Sequence, residues 1–235
     1  KVLLVGEVDT KGDAGQVGSA LVTGAGRGIG AAVACRLGGL GYPVIVNYLK
    51  DEASAGRTVE LIRSAGGSAL AIQADMGDPE AVTQMVRQAE AALGPVDVVV
   101  HNASPAMVPK DVLDCDRHDL ERYFKVQVLG LQSLAKAVVP SMISRGGGSI
   151  VVIGSTITDG VPPTGSSCYA AAKAACQALC RSLAAELGPK NVRVNMVSPG
   201  MSDTRMTADM PEKAKLVEKF HIPLRKFATA DEIAD

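Results

Sequence analysis

Aromatic residues and excess charge are both scarce in this sequence of 235 residues. It has no tryptophan, its aromatic fraction is 3%, and 24 Lys+Arg against 25 Asp+Glu leave a formal net charge of −1. A near-neutral chain lacks the broad electrostatic surface that nucleic acid or an anionic membrane requires. We therefore expect a small-molecule partner, with no nucleic acid and no membrane.

Leader, membrane-spanning and metal-ligand patterns are missing as well. The longest apolar runs are as short as strands, and the first residues do not join a charged start to an apolar stretch. The cysteines form no CxxC pair, and the three histidines lie far apart. We expect a cytoplasmic protein with reduced thiols and no metal site. The five cysteines are Cys35, Cys115, Cys168, Cys176 and Cys180.

The sequence does contain a regular alternation of short β-branched runs and long helical stretches. Near-continuous apolar strands separated by helices indicate a parallel sheet with both faces covered. We predict an α/β fold, a doubly wound, mostly parallel Rossmann-like sheet in a single domain. After a first strand at Ser19–Val22, strands are predicted at Pro43–Asn47, Ala69–Ala74, Val96–Val100, Ser149–Ile153 and Val192–Val197, and helices at Asp51–Ala65, Pro79–Leu93, Asp116–Ser144 and Tyr169–Leu187.

The two ends of the chain fit this alternation less well. Residues 1–18 form a strand-like segment and a loop of uncertain role, and residues 19–235 form the predicted domain. Val2–Val8 is interpreted as an edge strand beside Val192–Val197, as the remnant of a preceding domain, or as a strand that pairs elsewhere. Near the other end, Thr229–Glu232 has the pattern of a helix N-terminal cap.

The stretch TGAGRGIG, from Thr23 to Gly30, joins the first strand to a helix. In a βαβ unit this turn brings bare backbone close to a pyrophosphate and directs a helix N-terminus at it. Side chains at Gly24, Gly28 or Gly30 would obstruct the turn, the ligand or the packing of helix on strand. The alternative is a tight glycine turn without a ligand.

Polar residues follow two further predicted strands. Asp75 comes after the third strand, where a carboxylate can accept a hydrogen bond from an adenine amino group or simply cap a helix. Asn102-Ala103 closes the fourth strand at the carboxyl edge of the sheet, where open α/β proteins bind ligands. An ordinary asparagine turn is the alternative there.

Tyr169 and Lys173 lie four residues apart on a predicted helix, so their side chains emerge from one face. Ser155 ends a strand fourteen residues before Tyr169 and brings a hydroxyl to the same sheet edge. A phenol with an ordinary pKa of about 10 is a reluctant proton donor, and a nearby ammonium lowers that pKa. We expect Ser155 to hold a carbonyl oxygen that Tyr169 protonates.

Together these residues resemble the classical short-chain dehydrogenase/reductase family, most closely its 3-oxoacyl-carrier-protein reductases. TGAGRGIG, Asp75, His101-Asn102-Ala103-Ser104, Ser155, YAAAK and Ser198-Pro199-Gly200 appear in the family's order. The resemblance implies an NAD(P)-dependent oxidoreductase with Ser155, Tyr169 and Lys173 as catalytic residues. It also implies cofactor binding by Gly24, Arg27, Gly28, Ile29, Gly30, Lys50, Asp75, Met76, Asn102, Ala103, Tyr169, Lys173, Pro199, Gly200 and Thr204.

The charge at the end of the second strand favours NADP(H) as the cofactor. Asn47-Tyr48-Leu49-Lys50 lacks the acidic residue that accepts from a free ribose 2′-hydroxyl. Arg27 and Lys50 are placed to pair with a 2′-phosphate, to which arginine is well suited. Two solvated surface cations are the alternative.

The sequence departs from the family pattern at three places. Ser104 stands where the family has glycine, and its side chain would crowd the cofactor ribose. Gln127 stands where a family asparagine organises a water relay to the active-site lysine, so we include Gln127 among the catalytic candidates. The sequence also ends before the family's last strand.

The expected reaction is hydride transfer from NADPH to a ketone, with a 3-oxoacyl thioester as the favoured substrate. A dehydrogenase or reductase of a free ketone, sugar or polyol, and a catalytically weak NADP-binding scaffold or sensor, remain alternatives. The resemblance also implies a homodimer or homotetramer formed through Asp116–Ser144 and Tyr169–Leu187. An acidic acyl carrier protein would meet a local excess of basic residues, namely Arg205, Lys213, Lys215, Lys219, Arg225 and Lys226.

Overall fold

A computed structural model describes residues 18–203 and 211–235. Its six strands form one parallel sheet in the order β3-β2-β1-β4-β5-β6. The predicted α/β class, parallel sheet and Rossmann-like strand order are confirmed, and each predicted strand boundary lies within two residues of the observed one. The strands are β1 (Ser19–Val22), β2 (Val44–Tyr48), β3 (Ala69–Gln73), β4 (Val96–His101), β5 (Gly148–Ile153) and β6 (Val192–Val197).

Eight α-helices lie within the described residues, and several begin at a capping side chain. Asp51 accepts from the Ser54 amide at the start of α2, Asp78 caps α3 in the same way, and Thr229 and Glu232 form a capping box that begins α8. The helices are α1 (Gly28–Gly39), α2 (Glu52–Ser64), α3 (Pro79–Leu93), α4 (Arg117–Phe124), α5 (Gly130–Ser144), α6 (Ser167–Leu187), α7 (Glu212–His221) and α8 (Ala230–Ala234).

Two apolar cores cover the two faces of the sheet. On one face Met85 of α3, Leu134 of α5 and Cys176 of α6 pack against the strands. On the other face Val33 of α1 and Ile62 of α2 pack against them. The strands are buried on both sides, as a parallel sheet requires, and this holds the carboxyl ends of β1 and β4 in fixed positions.

The predicted helix over Asp116–Ser144 is present as Arg117–Ser144, but it is not α-helical throughout. A π-helical turn at Lys125–Leu129 separates α4 from α5 and contains the buried Gln127. Directly after this turn Gly130 packs so tightly that a Cβ there would lie 2.7 Å from the Met76 carbonyl oxygen. The combined segment Arg117–Ser144 is long and apolar enough to span a membrane by composition alone, with a mean hydropathy of 1.3 in its most apolar window. Because α5 packs on the sheet with much of that window buried, it is a helix of the core.

Some predictions concern residues outside the described part of the chain. The Val2–Val8 strand and its three interpretations lie there, as does the cofactor-binding prediction for Thr204. Strand β6 forms one edge of the sheet and is the last strand along the chain within residues 18–203 and 211–235.

Candidate active site

The crevice at the carboxyl ends of β1 and β4 begins with the glycine bend. These two strands are neighbours in the sheet, and the helices that follow them lie on opposite faces. Gly24 and Gly28 have φ values of 63° and 55°, in the left-handed region that glycine adopts readily. A Cβ on Gly30 would lie 2.5 Å from the Gly24 carbonyl oxygen and 2.5 Å from Nδ2 of the Asn102 side chain. The absence of a side chain at Gly30 therefore lets the helix pack closely against the bend and Asn102.

Hydrogen bonds from the end of β4 hold the bend in place. The Asn102 side-chain amide donates to the carbonyl oxygens of Thr23, at 2.9 Å, and Gly24, at 3.1 Å. The Thr23 hydroxyl accepts from the backbone amides of Asn102 and Ala103, each at 3.0 Å. Asn102 was predicted to bind the cofactor, and the structure places its amide group on the bend itself.

The first turn of α1 is open to an anion. Its N-cap residue, Arg27, has extended backbone and makes no side-chain capping hydrogen bond. The first backbone amides of the helix therefore lack a side-chain acceptor, and a pyrophosphate group fits such a helix N-terminus. Ile29 is half-buried and packs on the core formed with α1 and α2, so its side chain anchors this turn.

An acidic side chain that the sequence analysis did not consider lies beside Arg27. The Asp51 carboxylate is 3.7 Å from the Arg27 guanidinium, and both side chains are about half exposed. Hydrogen bonds from Ser54, followed by the charges of Arg57 and Arg27, hold the pKa of Asp51 below its ordinary value. Lys50 is exposed next to this pair. The region therefore holds cations for a phosphate together with one competing carboxylate.

The remaining predicted cofactor residues differ in their burial and in their hydrogen bonds. Asp75 is exposed and accepts from the Gly77 amide at 2.8 Å, which is a local turn. Met76 is buried in the core, and Ala103 packs against the same core. The Pro199 carbonyl accepts from the Thr156 amide at 3.0 Å and ties the segment after β6, where Gly200 follows, to the segment after β5.

Ser155, Tyr169 and Lys173 meet at the end of β5. Tyr169 is 9% exposed, and the Ser155 side chain is close enough to it to affect the pKa of the phenol. Lys173 is 4% exposed, its Nζ donates to the Ile153 carbonyl at 2.7 Å, and it lies 5.7 Å from the centre of the Tyr169 ring. Tyr123 packs edge-on against Tyr169, with ring centres 5.8 Å apart. The three predicted catalytic side chains are therefore brought together.

The pKa of Tyr169 is shifted in the direction opposite to the one expected from its spacing to Lys173. Burial raises the pKa of the Tyr169 phenol, and the nearby Ser155 hydroxyl only partly opposes this rise. Burial also lowers the pKa of Lys173 to about 8, because its ammonium has left water for an apolar surrounding. Tyr169 is therefore a neutral phenol at neutral pH, as a general acid must be, although its raised pKa makes it a weaker acid than a free tyrosine.

A buried hydrogen-bonded chain connects the bend to the π-helical turn. His101 Nδ1 lies 3.4 Å from the Thr23 hydroxyl, and His101 Nε2 lies 3.1 Å from the Gln127 carbonyl oxygen. Since a carbonyl only accepts, Nε2 carries the proton and Nδ1 accepts from Thr23. Burial lowers the pKa of His101 to about 4, so the ring is neutral. The structure supports packing at the strand end as the role of His101.

Two departures from the family pattern contact each other. The Gln127 side-chain amide donates to the Ser104 hydroxyl at 2.9 Å, and that hydroxyl lies 3.0 Å from the Pro105 carbonyl. The Gln127 carbonyl accepts from His101 and, at 3.4 Å, from the Cys176 thiol. Gln127 Oε1 is buried without a hydrogen-bond partner, which is the kind of group that an ordered water satisfies.

Comparison with known proteins decides the family. The profile of the short chain dehydrogenase family matches residues 18–215, most of the chain. The chain belongs to the short-chain dehydrogenase family. It is an NAD(P)-dependent oxidoreductase, as the sequence analysis predicted.

Individual short-chain dehydrogenases support this assignment over most of their length. Versicolorin reductase of Emericella nidulans is 39% identical over 189 residues, which are 80% of this chain and 70% of that protein. A 3-oxoacyl-[acyl-carrier-protein] reductase of Staphylococcus aureus is 32% identical over 219 residues, 92% of this chain and 87% of that protein. A short chain dehydrogenase from Burkholderia cenocepacia, solved in complex with NADP, has a TM-score of 0.84 at 35% identity, and the match covers 92% of this chain and 87% of that one.

Some residues that shape this short-chain dehydrogenase site were missed in the sequence. Asn47 accepts from the Gly24 amide at 3.2 Å and donates to the Ala74 carbonyl at 3.2 Å, so it joins the bend to β3. Asp51, Thr23 and Tyr123 were also not selected as candidates. A polar residue within an otherwise apolar buried strand, as Asn47 is in β2, is a signal that would have identified the first of these.

Proposed function

We propose that the protein is an NADPH-dependent carbonyl reductase. The observation that carries this proposal is the buried phenol of Tyr169, beside Ser155 and close to the buried ammonium of Lys173, next to a glycine bend with an open helix N-terminus. A neutral phenol next to a hydroxyl suits protonation of a carbonyl oxygen. The family membership supports the same reaction.

The chemistry is divided between the cofactor and the protein's own groups. NADPH, when bound, supplies hydride to the carbonyl carbon. Ser155 donates a hydrogen bond to the carbonyl oxygen, since its own Oγ already accepts from the Ile157 amide and keeps a free proton. Tyr169 donates its proton to the same oxygen as negative charge develops there. Lys173 then stabilises the phenolate, because a pKa of about 8 leaves its amine largely protonated at neutral pH.

Gln127 helps to return a proton to Lys173 after the reaction. Its Oε1 is a buried acceptor without a partner, and its backbone carbonyl is already engaged by His101 and Cys176. We propose that this side-chain oxygen, in place of the carbonyl, holds the water that returns a proton to Lys173. The hydrogen bond to Ser104 fixes the orientation of the amide.

The choice of NADP(H) follows from the cations at the outer end of the bend. Arg27 and Lys50 are exposed there, and Arg57 donates to Ser54 at 2.6 Å in the first turn of α2. A ribose 2′-phosphate carries about two negative charges and is matched by a guanidinium fork. The NADP complex of the Burkholderia cenocepacia relative supports the same choice.

We propose a 3-oxoacyl thioester as the substrate. The segments that follow β4 and β5 expose apolar side chains next to the site, with Val112, Leu113 and Val161 each at least 66% exposed. Such a rim suits an acyl chain. Of the basic residues considered for a carrier protein, Arg205 lies outside the described residues, Lys215 pairs with Glu212 and Lys226 pairs with Glu232. The other cations available to an acidic partner in the described part of the chain are Lys213, Lys219 and Arg225. Similarity to the Staphylococcus aureus reductase supports this substrate.

Reduction of a free ketone is the second candidate. It is favoured by the greater identity to versicolorin reductase, whose name contains no carrier-bound acyl group. The same catalytic groups and apolar rim serve either substrate, because only the atoms attached to the carbonyl differ.

The test follows NADPH absorbance with an acetoacetyl thioester and with a panel of free ketones. We expect turnover of the thioester and a loss of at least about 100-fold in Tyr169→Phe, because general acid catalysis contributes at this level. Tyr42→Phe, a change at a buried tyrosine in the α1–β2 connection, is the matched control with unchanged rates.

Each other outcome has a definite meaning. Turnover of ketones alone selects the second candidate. Unchanged activity in Tyr169→Phe contradicts the assignment of the proton donor. Tight NADPH binding, measured by fluorescence, without turnover of any carbonyl contradicts the reductase proposal and favours a binding scaffold or sensor.

A further inference from the structure

Two cysteines that are far apart in the sequence meet at the mouth of the proposed active site. Cys115 precedes α4, and Cys168 lies in the first turn of α6, next to Tyr169. The Cys115 Sγ is 3.7 Å from the Lys110 carbonyl oxygen and 3.9 Å from the Ser167 hydroxyl. Both cysteines line one cleft with Met107, Tyr123 and Tyr169. The fold therefore brings two thiols to the entrance that a carbonyl substrate would use.

The two thiols also interact with each other. Burial raises the pKa of the Cys168 thiol, and the neighbouring Cys115 thiol raises it further. The Lys110 ammonium is close enough to Cys115 for their charges to interact. The thiolate is the reactive form of cysteine, and in the step proposed below Cys115 attacks first and Cys168 follows.

The other three cysteines lie in different surroundings. Cys176 and Cys180 are buried in the core beneath α6, and burial raises the pKa of both thiols. Cys35 is half-buried on α1, on the opposite face of the sheet. Cys115 and Cys168 are both partly exposed to solvent. Among the five cysteines this pair alone combines access to solvent with a neighbouring thiol.

We propose that Cys115 and Cys168 are a modification site, at which a hydroperoxide forms a reversible disulfide that closes the entrance to the active site. The Cys115 thiolate attacks the peroxide, the O–O bond breaks, and the products are a sulfenic acid on Cys115 and an alcohol or water. The Cys168 thiolate displaces the sulfenic oxygen, which leaves as water. Two thiols are oxidised, one peroxide is reduced, and a small dithiol reverses the change.

The disulfide joins two segments that border Tyr169. One is the loop between β4 and α4, whose Val108 amide contacts the Tyr123 hydroxyl at 3.2 Å, and the other is the first turn of α6. With the loop tied to the helix, a carbonyl substrate loses access to Tyr169, whereas the nucleotide crevice at β1 and β4 stays open. The inhibition rests on the proposed reductase function, but formation of the disulfide does not.

Peptide mapping tests the disulfide directly. The intact protein is treated with hydrogen peroxide, the remaining thiols are alkylated under denaturing conditions, and the protein is digested with trypsin. Cys115 falls in the peptide Asp111–Arg117 and Cys168 in Gly146–Lys173, each with a single cysteine. We expect these two peptides to be joined, and the joined species to disappear with dithiothreitol. Overoxidised cysteines without this joined species would overturn the proposal.

Activity supplies the second readout. Reductase activity should fall about tenfold on oxidation and return with dithiothreitol, as expected when access to a site is closed, while NADPH binding is retained. Cys115→Ser should keep full activity and resist peroxide, and Cys35→Ser should respond as the unaltered protein does. A joined peptide with unchanged activity overturns the closure. If no carbonyl is reduced even before oxidation, the reductase proposal fails while the mapping still decides the disulfide.

Discussion

We expect single charges beside the glycine bend to set its preference for a ribose 2′-phosphate. The Asp51 carboxylate lies 3.7 Å from Arg27 and competes with a 2′-phosphate for that guanidinium. Asp51→Asn keeps a side-chain oxygen for capping α2 but removes the charge. We expect the KM for NADPH to fall about threefold, a modest change because exposed ion pairs are weak, with the KM for NADH unchanged.

Two further variants complete that measurement. Arg27→Ala should shift the KM for NADPH in the opposite direction. Arg63→Ala removes another exposed arginine with an acidic partner, Glu60, away from the bend, and should change neither constant. Equal effects of Asp51→Asn on both nucleotides would show that the carboxylate acts through the fold of α2 and not through its charge.

Residue identities could be predicted at this site more easily than residue contacts. Ser155, Tyr169 and Lys173 stand at a strand end and on one helix face, so local patterns place them together. The contacts of Arg27 with Asp51 and of Gln127 with Ser104 depend on loop paths and side-chain rotamers. The same is true of Cys115 and Cys168, which are 53 residues apart. For the pKa of Tyr169, burial is the largest cause of the shift, and its direction is opposite to the one that the spacing from Lys173 suggested.

The contact between β4 and the π-helical turn makes the stability of the protein depend on pH. His101, the last residue of β4, is buried and neutral, and its pKa is lowered to about 4 from an ordinary 6.5. Between pH 4 and pH 6.5, His101 therefore binds a proton in the unfolded chain but not in the folded chain. This contribution to stability is complete above pH 6.5 and is lost as the pH falls toward 4, by about 2 kcal/mol at pH 5.

Urea unfolding at pH 7.5 and pH 5 measures this effect. His101→Asn should reduce the difference in unfolding free energy between the two pH values by about 2 kcal/mol. His118→Asn, at an exposed position on α4, is the control and should leave the difference unchanged. An identical pH difference in His101→Asn would mean that the ring is protonated in the folded protein or that other groups dominate.

Among the helices and strands, boundaries were predictable where capping or apolar runs mark them. Asp78-Pro79 begins α3 at the predicted residue, and Thr229 begins α8 through a capping box. The π-helical turn at Lys125–Leu129 was not predictable in this way, because the apolar pattern runs through it without interruption. Its cause is tertiary, since Gly130 and Gln127 pack against other parts of the core.

At the level of the assembled protein, α6 carries a stripe of small exposed residues. Ala171, Ala174 and Ala178 are exposed on one face of this helix, and Leu120 and Leu129 are exposed on its neighbours α4 and the π-helical turn. Such a surface suits close packing against another copy, as the family resemblance led us to predict. We expect a homodimer or homotetramer, and Ala174→Glu should produce a 24.2 kDa monomer by light scattering.

The control places the same charge on a helix away from that stripe. Ala91→Glu lies at an exposed position of α3 and should leave the assembly intact. A monomeric unaltered protein, or equal dissociation by both variants, would contradict the assignment of this surface.

The hydrogen bonds from Asn102 to Thr23 and Gly24 have a consequence for how the nucleotide arrives. They fix the bend through the strand next to it, so the conformational entropy of this loop is lost during folding rather than during association. We therefore expect the dinucleotide to meet a bend that already has its final shape. Its affinity is therefore reduced by the immobilisation of the nucleotide alone, without a further cost for ordering the protein backbone around its phosphates.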